Sequence, residues 1–475
     1  MKFKLYSAII FVFILFGVGC EDILQEDVYS QLGPENFLQT ETDAIALLNS
    51  VYAIRNVGSR DPWLMEELPT DLMIQRGGGL RGLAQPLEDF TWDSGFGFLN
   101  TAFNTSYNVI SRANIVIDEV PNIDMNEDRR RVIIAEARFL RAANYIYLYN
   151  YFGPVPLVTT SDVTPEDRPS RASSEEIAQF VESELLAASE DLPVTASEFG
   201  RATWGAALAM LSRFHLNRKN WEKTAEVAEM IIDSGEYSLF EGEHRTELFA
   251  FGNENNSEFI YVHEYLPIDG YGNTLLAHIV PPNYQFEAPP KENFAAQYQT
   301  LSNFLNSFHP DDERKDAIIT EYINTSGELV QLGEDNARSL KFPEDLSATG
   351  RSMGNNHPII RYADILLHRA EALNELHGPN QESIDLINEV REVAGVPLYS
   401  LNDFSSTEAF RDSMLAERGW EFFTEGLRRQ DLIRHGKFIE YAVERGKSAS
   451  DHHTRYPIPQ QQMDRNPNLQ QNPGY

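Results

Sequence analysis

Two stretches far apart in the chain share one pattern. "ATWGAALAMLSRFHLNRKNWEKTAEVAEMIIDSGEY" and "IIRYADILLHRAEALNELHGPNQESIDLINEVREVAGV" each read as helix, short turn, helix, with alanines at helical spacing and a glycine at the end. Small residues let paired helices approach closely. A helical pair of this kind, with a period of about 34 residues, marks tetratricopeptide-like architecture. A helical pair buries its apolar face only against neighbours, so the pattern predicts a mainly α body built by stacking. The two copies are not contiguous, and an insertion of roughly 241–356 must separate them.

The rest of the chain supports a helical body. "TETDAIALLNSVYAIRNV" offers Thr40 or Thr42 as caps ahead of Ile45, Leu48 and Tyr52. "NEDRRRVIIAEARFLRAANYIYLYNYFGPVPLV" carries one stripe through Ile133, Ala137 and Leu140 and another through Val132, Phe139 and Ile146, which predicts burial between neighbours. Asn126 or Asp128 caps it, and Gly153-Pro154 ends it. Ser173 or Ser174 heads the next helix, and the segment around Gly426 reads as two helices. Residues 60–100 are too rich in glycine and proline for regular structure and read as a long loop, the kind that in compact domains is functional or disordered. In the insertion, "NSEFIYVHEY" reads as a strand. The proline- and asparagine-rich residues 450–475 are expected as a non-helical strap or a loose tail.

The N-terminus, "MKFKLYSAIIFVFILFGVGC", has two lysines, an apolar run and small residues before Cys20, the one cysteine of the 475-residue chain. It reads as a secretory signal over residues 1–19. The run is shorter than the roughly 20 apolar residues of a spanning helix, and no later segment reaches that length. Cys20 resembles a lipobox cysteine, although Gly17 stands where leucine is preferred. Lipidation would make it a membrane tether, each buried acyl methylene contributing about 0.8 kcal/mol. Residues 20–40 then form a polar leash and 41–475 a single domain, with helical pairs at about 41–240 and 357–440. A lone cysteine also excludes an internal disulfide.

The formal net charge is −33. Such an acidic surface repels phosphates and argues against nucleic acid as a partner. Most of the acidic excess reads as a solvated face.

Several segments together resemble the SusD/RagB family of bacterial outer-membrane nutrient-uptake lipoproteins. They are "EARFLRAANYIYLYNYFGPVPLV", "WEKTAEVAEMIIDSGEYSL", "NSEFIYVHEY", "IIRYADILLHRAEALNE", "LINEVREVAGV", "ERGWEFFTEGLRRQDLIRHGKF" and the terminal "PIPQQQMDRNPNLQQNPGY", in family order. The resemblance implies a SusD-like body of tetratricopeptide-like helical pairs with irregular loops and short strands over one face. It also implies a lipid-anchored protein on the outer face of the outer membrane, with a SusC-like TonB-dependent transporter as partner. Such a protein captures oligosaccharide without turnover and delivers it to the barrel. Peptide-binding members are an alternative, and a secreted glycosidase a further one.

A sugar presents a C–H face that stacks on aromatic rings, while amides, carboxylates and arginines bond its hydroxyls. The first long loop supplies Trp63, Trp92, Phe96 and Phe98 with Asp71, Arg76 and Arg81; the insertion supplies Tyr271, Tyr284, Phe286 and Tyr298 with His278 and Asn283. The family pattern implies that these two regions meet to form the ligand surface. With 28 Phe, 20 Tyr and 5 Trp, most aromatic residues must be core; Trp92, after "EDFT", is expected on a buried strand. Gly77-Gly78-Gly79 lacks the lysine and strand–helix context of a phosphate loop and reads as a loop tip. His368 and Glu371 share a helix face, but zinc needs more ligands, so no cofactor is expected. "PDDERKDA" could offer oxygens to a structural calcium, although the resemblance implies that Asp312 and Arg314 pair to pin a loop. Glycosidase chemistry needs two carboxylates about 5 to 10 Å apart, which 72 acidic residues satisfy by accident. No Gly-x-Ser-x-Gly elbow anchors a serine triad. A helical scaffold that binds only proteins is the third reading, and the aromatic loops favour a ligand role over it.

Overall fold

The computed structural model describes residues 38–55, 60–79, 81–164, 166–288, 291–294 and 296–475; Cys20 and its leash lie outside them. Helix α1 (Glu41–Arg55) is capped by Thr40, whose Oγ1 accepts from the Asp43 amide at 3.3 Å and donates to its carboxylate at 2.8 Å. Residues 60–100, expected to be irregular, hold two helices, α2 (Arg60–Glu67) and α3 (Arg81–Asp89), around a short strand β1 (Met73–Gln75). Burial explains the difference: Leu64, Met65, Ala84 and Leu87 are fully enclosed, and packing overrides local propensity. The expected strand at "EDFT" is absent, because Asp89 ends α3 and Phe90 turns into the left-handed region at φ 57°.

Helix α4 (Gly97–Glu119) leads to α5 (Glu127–Phe152), which is buried on both faces, as its two stripes require. Asn126 caps α5, its side chain accepting from the Arg129 amide at 3.0 Å. Gly153 ends it at φ 71°, a backbone setting that glycine adopts without strain. Helix α6 (Ser174–Asp191) starts with a reciprocal capping box between Ser173 and Glu176. The hairpin of α7 (Trp204–Asn217) and α8 (Trp221–Ser234) follows, capped by Asn220 and closed by Gly235.

The insertion carries β2 (Phe259–His263), α9 (Leu275–Ile279), β3 (Tyr298–Thr300), α10 (Ser302–Leu305), β4 (Ile318–Ile319), β5 (Glu321–Ile323), β6 (Leu329–Gln331) and β7 (Arg338–Ser339). Strand β8 (His357–Arg361) closes it by pairing antiparallel with β2 and running straight into α11 (Tyr362–His377). Helix α11 packs on α8 and on α12 (Gln381–Val393), so the two repeats that are distant in sequence lie side by side. Ala206, Ala207, Ala209, Ala363, Ala370 and Ala372 are fully buried between these helices. Helices α13 (Thr407–Phe422), α14 (Arg428–Arg434), α15 (Phe438–Glu444) and α16 (Gln460–Arg465) complete the body. The last of these lies in the segment expected to be non-helical.

A buried ionic cluster pins the insertion to α13. Arg314 donates to Asp312 at 2.8 and 2.7 Å, to Glu417 at 2.6 Å and to Glu421 at 2.9 Å. Arg245 bonds Glu258 at 2.7 Å and Glu421 at 2.8 Å. Arg361 bonds Glu258, Glu421 at 2.6 Å and Glu425 at 2.8 Å; Lys341 reaches Glu425 at 2.6 Å, and Arg391 reaches Glu417 at 2.5 Å. Five cations thus face five carboxylates, all buried. These carboxylates are matched by buried cations, so the acidic excess itself still lies outside the cluster. The cluster also accounts for "PDDERKDA": both oxygens of Asp312 serve Arg314, and among the described residues no group of three or more His, Cys, Asp or Glu is placed to hold a metal. His368 is enclosed against Asp364 at 3.0 Å and Ser212 at 3.1 Å, while Glu371 bonds Arg434 at 2.6 Å.

The C-terminal residues are laid down as an ordered strap. Asn472 donates to the carbonyls of Phe152 at 2.9 Å and Tyr456 at 2.7 Å and accepts from Arg171 at 2.8 Å. The Trp92 indole N–H donates to the Tyr475 hydroxyl at 2.8 Å.

Candidate ligand-binding cleft

Short backbone ladders bring residues 60–105 onto the insertion. β1 pairs antiparallel with β3, setting Met73 opposite Thr300 and Gln75 opposite Tyr298. The Arg76 amide extends the ladder to the Gln297 carbonyl at 3.0 Å, and the Gln297 amide reaches the His278 carbonyl at 2.7 Å. Gly78, at φ 79°, lies so close to Gln297 that a β-carbon there would meet its side chain at 2.5 Å. Within the glycine triplet, Gly78 is thus the close-approach position of the turn that follows β1.

A cleft of about 170 Å³ opens at this junction. That is close to the roughly 150 Å³ that encloses one benzene-sized ring. Pro62, Trp63 and Leu275 give it apolar walls, and Thr101 and Thr105 face it from one side of α4. Asn144, Tyr147 and Tyr151 come from α5, and Tyr265, Asn273 and Thr274 from the insertion. Arg60 lines it too, its guanidinium paired with Asp61 at 2.6 Å. Tyr265 lies parallel to the His263 ring, centroids 5.2 Å apart. Asn273 pairs its backbone with Met353 at 2.8 and 2.9 Å, which anchors the base of the loop that carries Tyr271.

The base of the cleft is electrostatically unusual. Burial lifts the Glu66 carboxyl to about 7 against the opposing pull of Arg429. Its chain neighbour Glu67, outside the cleft lining, is lifted by burial to about 8 against the Gly426 amide that donates to it at 2.6 Å, with Glu66 adding repulsion. Glu425 behaves oppositely: burial favours its neutral form, but Arg361 and Lys341 outweigh that and hold it below the ordinary carboxylate range. Neutral polar groups and tyrosine rings predominate around the apolar wall, and the charged Arg60 and Glu425 are already paired, which suits a hydroxyl-bearing ring better than a multiply charged ligand.

The residues singled out from sequence divide sharply. Trp63 lines the cleft but is only 6% exposed, with its indole N–H held by the Thr424 carbonyl at 2.9 Å and its ring edge-on to Tyr298. Trp92, Phe98, His278, Phe286 and Tyr298 are buried as well. Trp92 sits among Phe90, His453 and Tyr456; Phe98 packs on Phe96 at 5.0 Å; His278 accepts Phe294 at 4.5 Å and bonds Gln297 at 3.1 Å; Phe286 belongs to a small separate core with Leu276 and Val280. These rings are structural because each fills space that no other side chain occupies. Asp71 lies elsewhere, in a bidentate pair with Arg428 at 2.8 Å. Tyr271 is 65% exposed, Arg76 and Arg81 are exposed, and Phe96 and Tyr284 are half-buried, the latter stacked on Tyr322, whose hydroxyl donates to Asn283. Of the polar cleft residues, sequence reading missed Arg60, Thr101, Thr105, Asn144, Asn273 and Thr274. Tyr265, in the quoted strand segment, was passed over for Tyr271.

Comparison with known proteins places the whole chain. A family model described as "SusD family" matches residues 337–475, and one described as "Starch-binding associating with outer membrane" matches residues 27–216. The SusD-like protein P2 of Formosa agariphila is 27% identical, covering 99% of this chain and 100% of that protein. The starch-binding protein SusD of Bacteroides thetaiotaomicron is 25% identical over 77% of this chain and 76% of its own. Among solved structures, a laminarin-binding SusD-like protein superposes with TM-score 0.78 at 25% identity, covering 92% of this chain and all of the other. A SusD superfamily protein from Parabacteroides distasonis gives TM-score 0.81 at 24% identity over 94% of this chain and all of its own. The helical body, the inserted short strands and these matches together make the chain a member of the SusD family.

Proposed function

We propose that the protein is a cell-surface glycan receptor that captures oligosaccharide and passes it to a SusC-like TonB-dependent transporter. The observation that carries this reading is the ring-sized, largely apolar cleft bordered by Thr101, Thr105, Asn144 and Tyr265, at the junction of the N-terminal loop region with the insertion. The laminarin-binding and starch-binding relatives support a glycan as the ligand class. Cys20 anchors the mature protein through lipid; among the described residues no helix is long and apolar enough to cross a membrane. The ligand is held without turnover.

Affinity electrophoresis through gels containing laminarin or soluble starch tests the capture. Retardation is expected on at least one of them, together with release of no new reducing ends on incubation. Free migration on both gels, or shortened products, would overturn the proposal. Cys20→Ser should abolish palmitate incorporation and release the protein from the membrane fraction.

A further inference from the structure

A second groove, of about 430 Å³, lies between α10, α13 and α15 and shares no lining residue with the cleft. It falls within the roughly 300–1,000 Å³ of small-molecule sites. We propose that it is a second saccharide site, one that takes a neutral pyranose unit. Trp420 of α13 and Tyr441 of α15 both line it, and both are half-buried. The indole is fixed in orientation, its N–H donating to Ser307 at 2.9 Å. Two planar polar groups of the same lining are already locked. Arg428, buried, grips Asp71 through both oxygens at 2.8 Å and the Leu415 carbonyl at 2.6 Å. Arg445 is held by the carbonyls of Pro69 at 2.8 Å and Tyr441 at 3.2 Å. Groups fixed in advance lose little freedom when a hydroxyl joins them, so they bind at low entropic cost. Asp412 and Glu444 stand exposed in the lining, where they accept hydroxyl hydrogens and repel anions. That selects a neutral sugar over a sulfated or uronic one. The groove also gives Asp71, which lies away from the first cleft, a place in ligand binding.

The inference borrows from the glycan reading only its choice of probes. The full chain labelled with 5-fluorotryptophan gives a reporter in each place, Trp63 at the cleft and Trp420 at the groove, with Trp420→Phe to assign the latter. Laminarihexaose, maltoheptaose and cellohexaose are titrated in turn. One of them is expected to shift the Trp420 resonance saturably. Tyr441→Ala, checked for an unchanged melting temperature, should raise the half-saturation concentration about tenfold. The shift should persist in Tyr265→Ala. A Trp420 signal unmoved by all three sugars, or a shift lost in Tyr265→Ala, overturns the second site. Movement of Trp63 alone leaves the cleft reading standing, whereas stillness of both removes both.

Discussion

The buried ionic cluster yields a sharp test in Glu421→Gln. The native carboxylate accepts from Arg245 at 2.8 Å, Arg361 at 2.6 Å and Arg314 at 2.9 Å. Glutamine keeps the volume but removes one of five negative charges, leaving the enclosed cluster with an uncompensated cation. Breaking a buried pair in this way costs about 3–5 kcal/mol. Unfolding entropy near 2.1 cal/mol/K per residue, over roughly 430 residues, gives about 0.9 kcal/mol/K, so the melting temperature should fall by about 3–6 °C. Burial pushes the Glu421 carboxyl up, but the three guanidiniums outweigh it and hold it well below the ordinary range. A depressed carboxylate stabilises above its unfolded pKa and loses that contribution as pH falls through the folded one. The deficit of the variant should therefore be constant between about pH 5 and 8 and shrink only in strong acid. Scanning calorimetry at several pH values reads both. A variant melting within about 1 °C of the parent at neutral pH would refute the claim that the cluster acts as one charge-balanced unit.

Glu66 and Glu67 give the opposite pH dependence. Their folded pKa values, raised to about 7 and about 8, mean that the native state holds protons the unfolded chain releases. Stability should fall as pH rises from about 4.5 to 8, by of order 3 kcal/mol for Glu66 alone, and the double Gln variant should lack that slope in denaturant titrations. Asn472→Ala strands the Phe152 and Tyr456 carbonyls and should cost about 2–3 kcal/mol, with faster hydrogen exchange confined to the C-terminal strap. Trp63→Ala should lose about 3–5 kcal/mol through its cavity as well as glycan retention, whereas Tyr265→Ala should weaken retention with a melting shift under about 2 °C; equal melting losses would make Tyr265 core.

The helical body was legible because its signals are local. Asn126, Ser173 and Gly153 mark their helix ends through neighbours a few residues away, and the alanine spacing of α7 and α11 needs no distant partner to be seen. The insertion was legible only as a change of texture. Its strands are two to five residues long, and β1 finds β3 across most of the N-terminal half of the helical body, which no periodicity encodes. The cleft failed for a different reason. Trp63 does wall the cleft, but Trp92 and Tyr298 have the same chemistry and serve the core, and nothing local in the sequence separates the two uses. Thr101 and Thr105 stand one helical turn apart on an ordinary amphipathic pattern, so nothing local shows that their face borders a cleft. The ionic cluster was hidden because an acidic composition does not say which carboxylates have arginines waiting in the interior.

The grip of Trp92 on Tyr475 joins residues 383 positions apart in sequence. A loop of that length closes only after the local helical contacts inside it have formed, so this clasp belongs to the last steps of folding rather than to its nucleus.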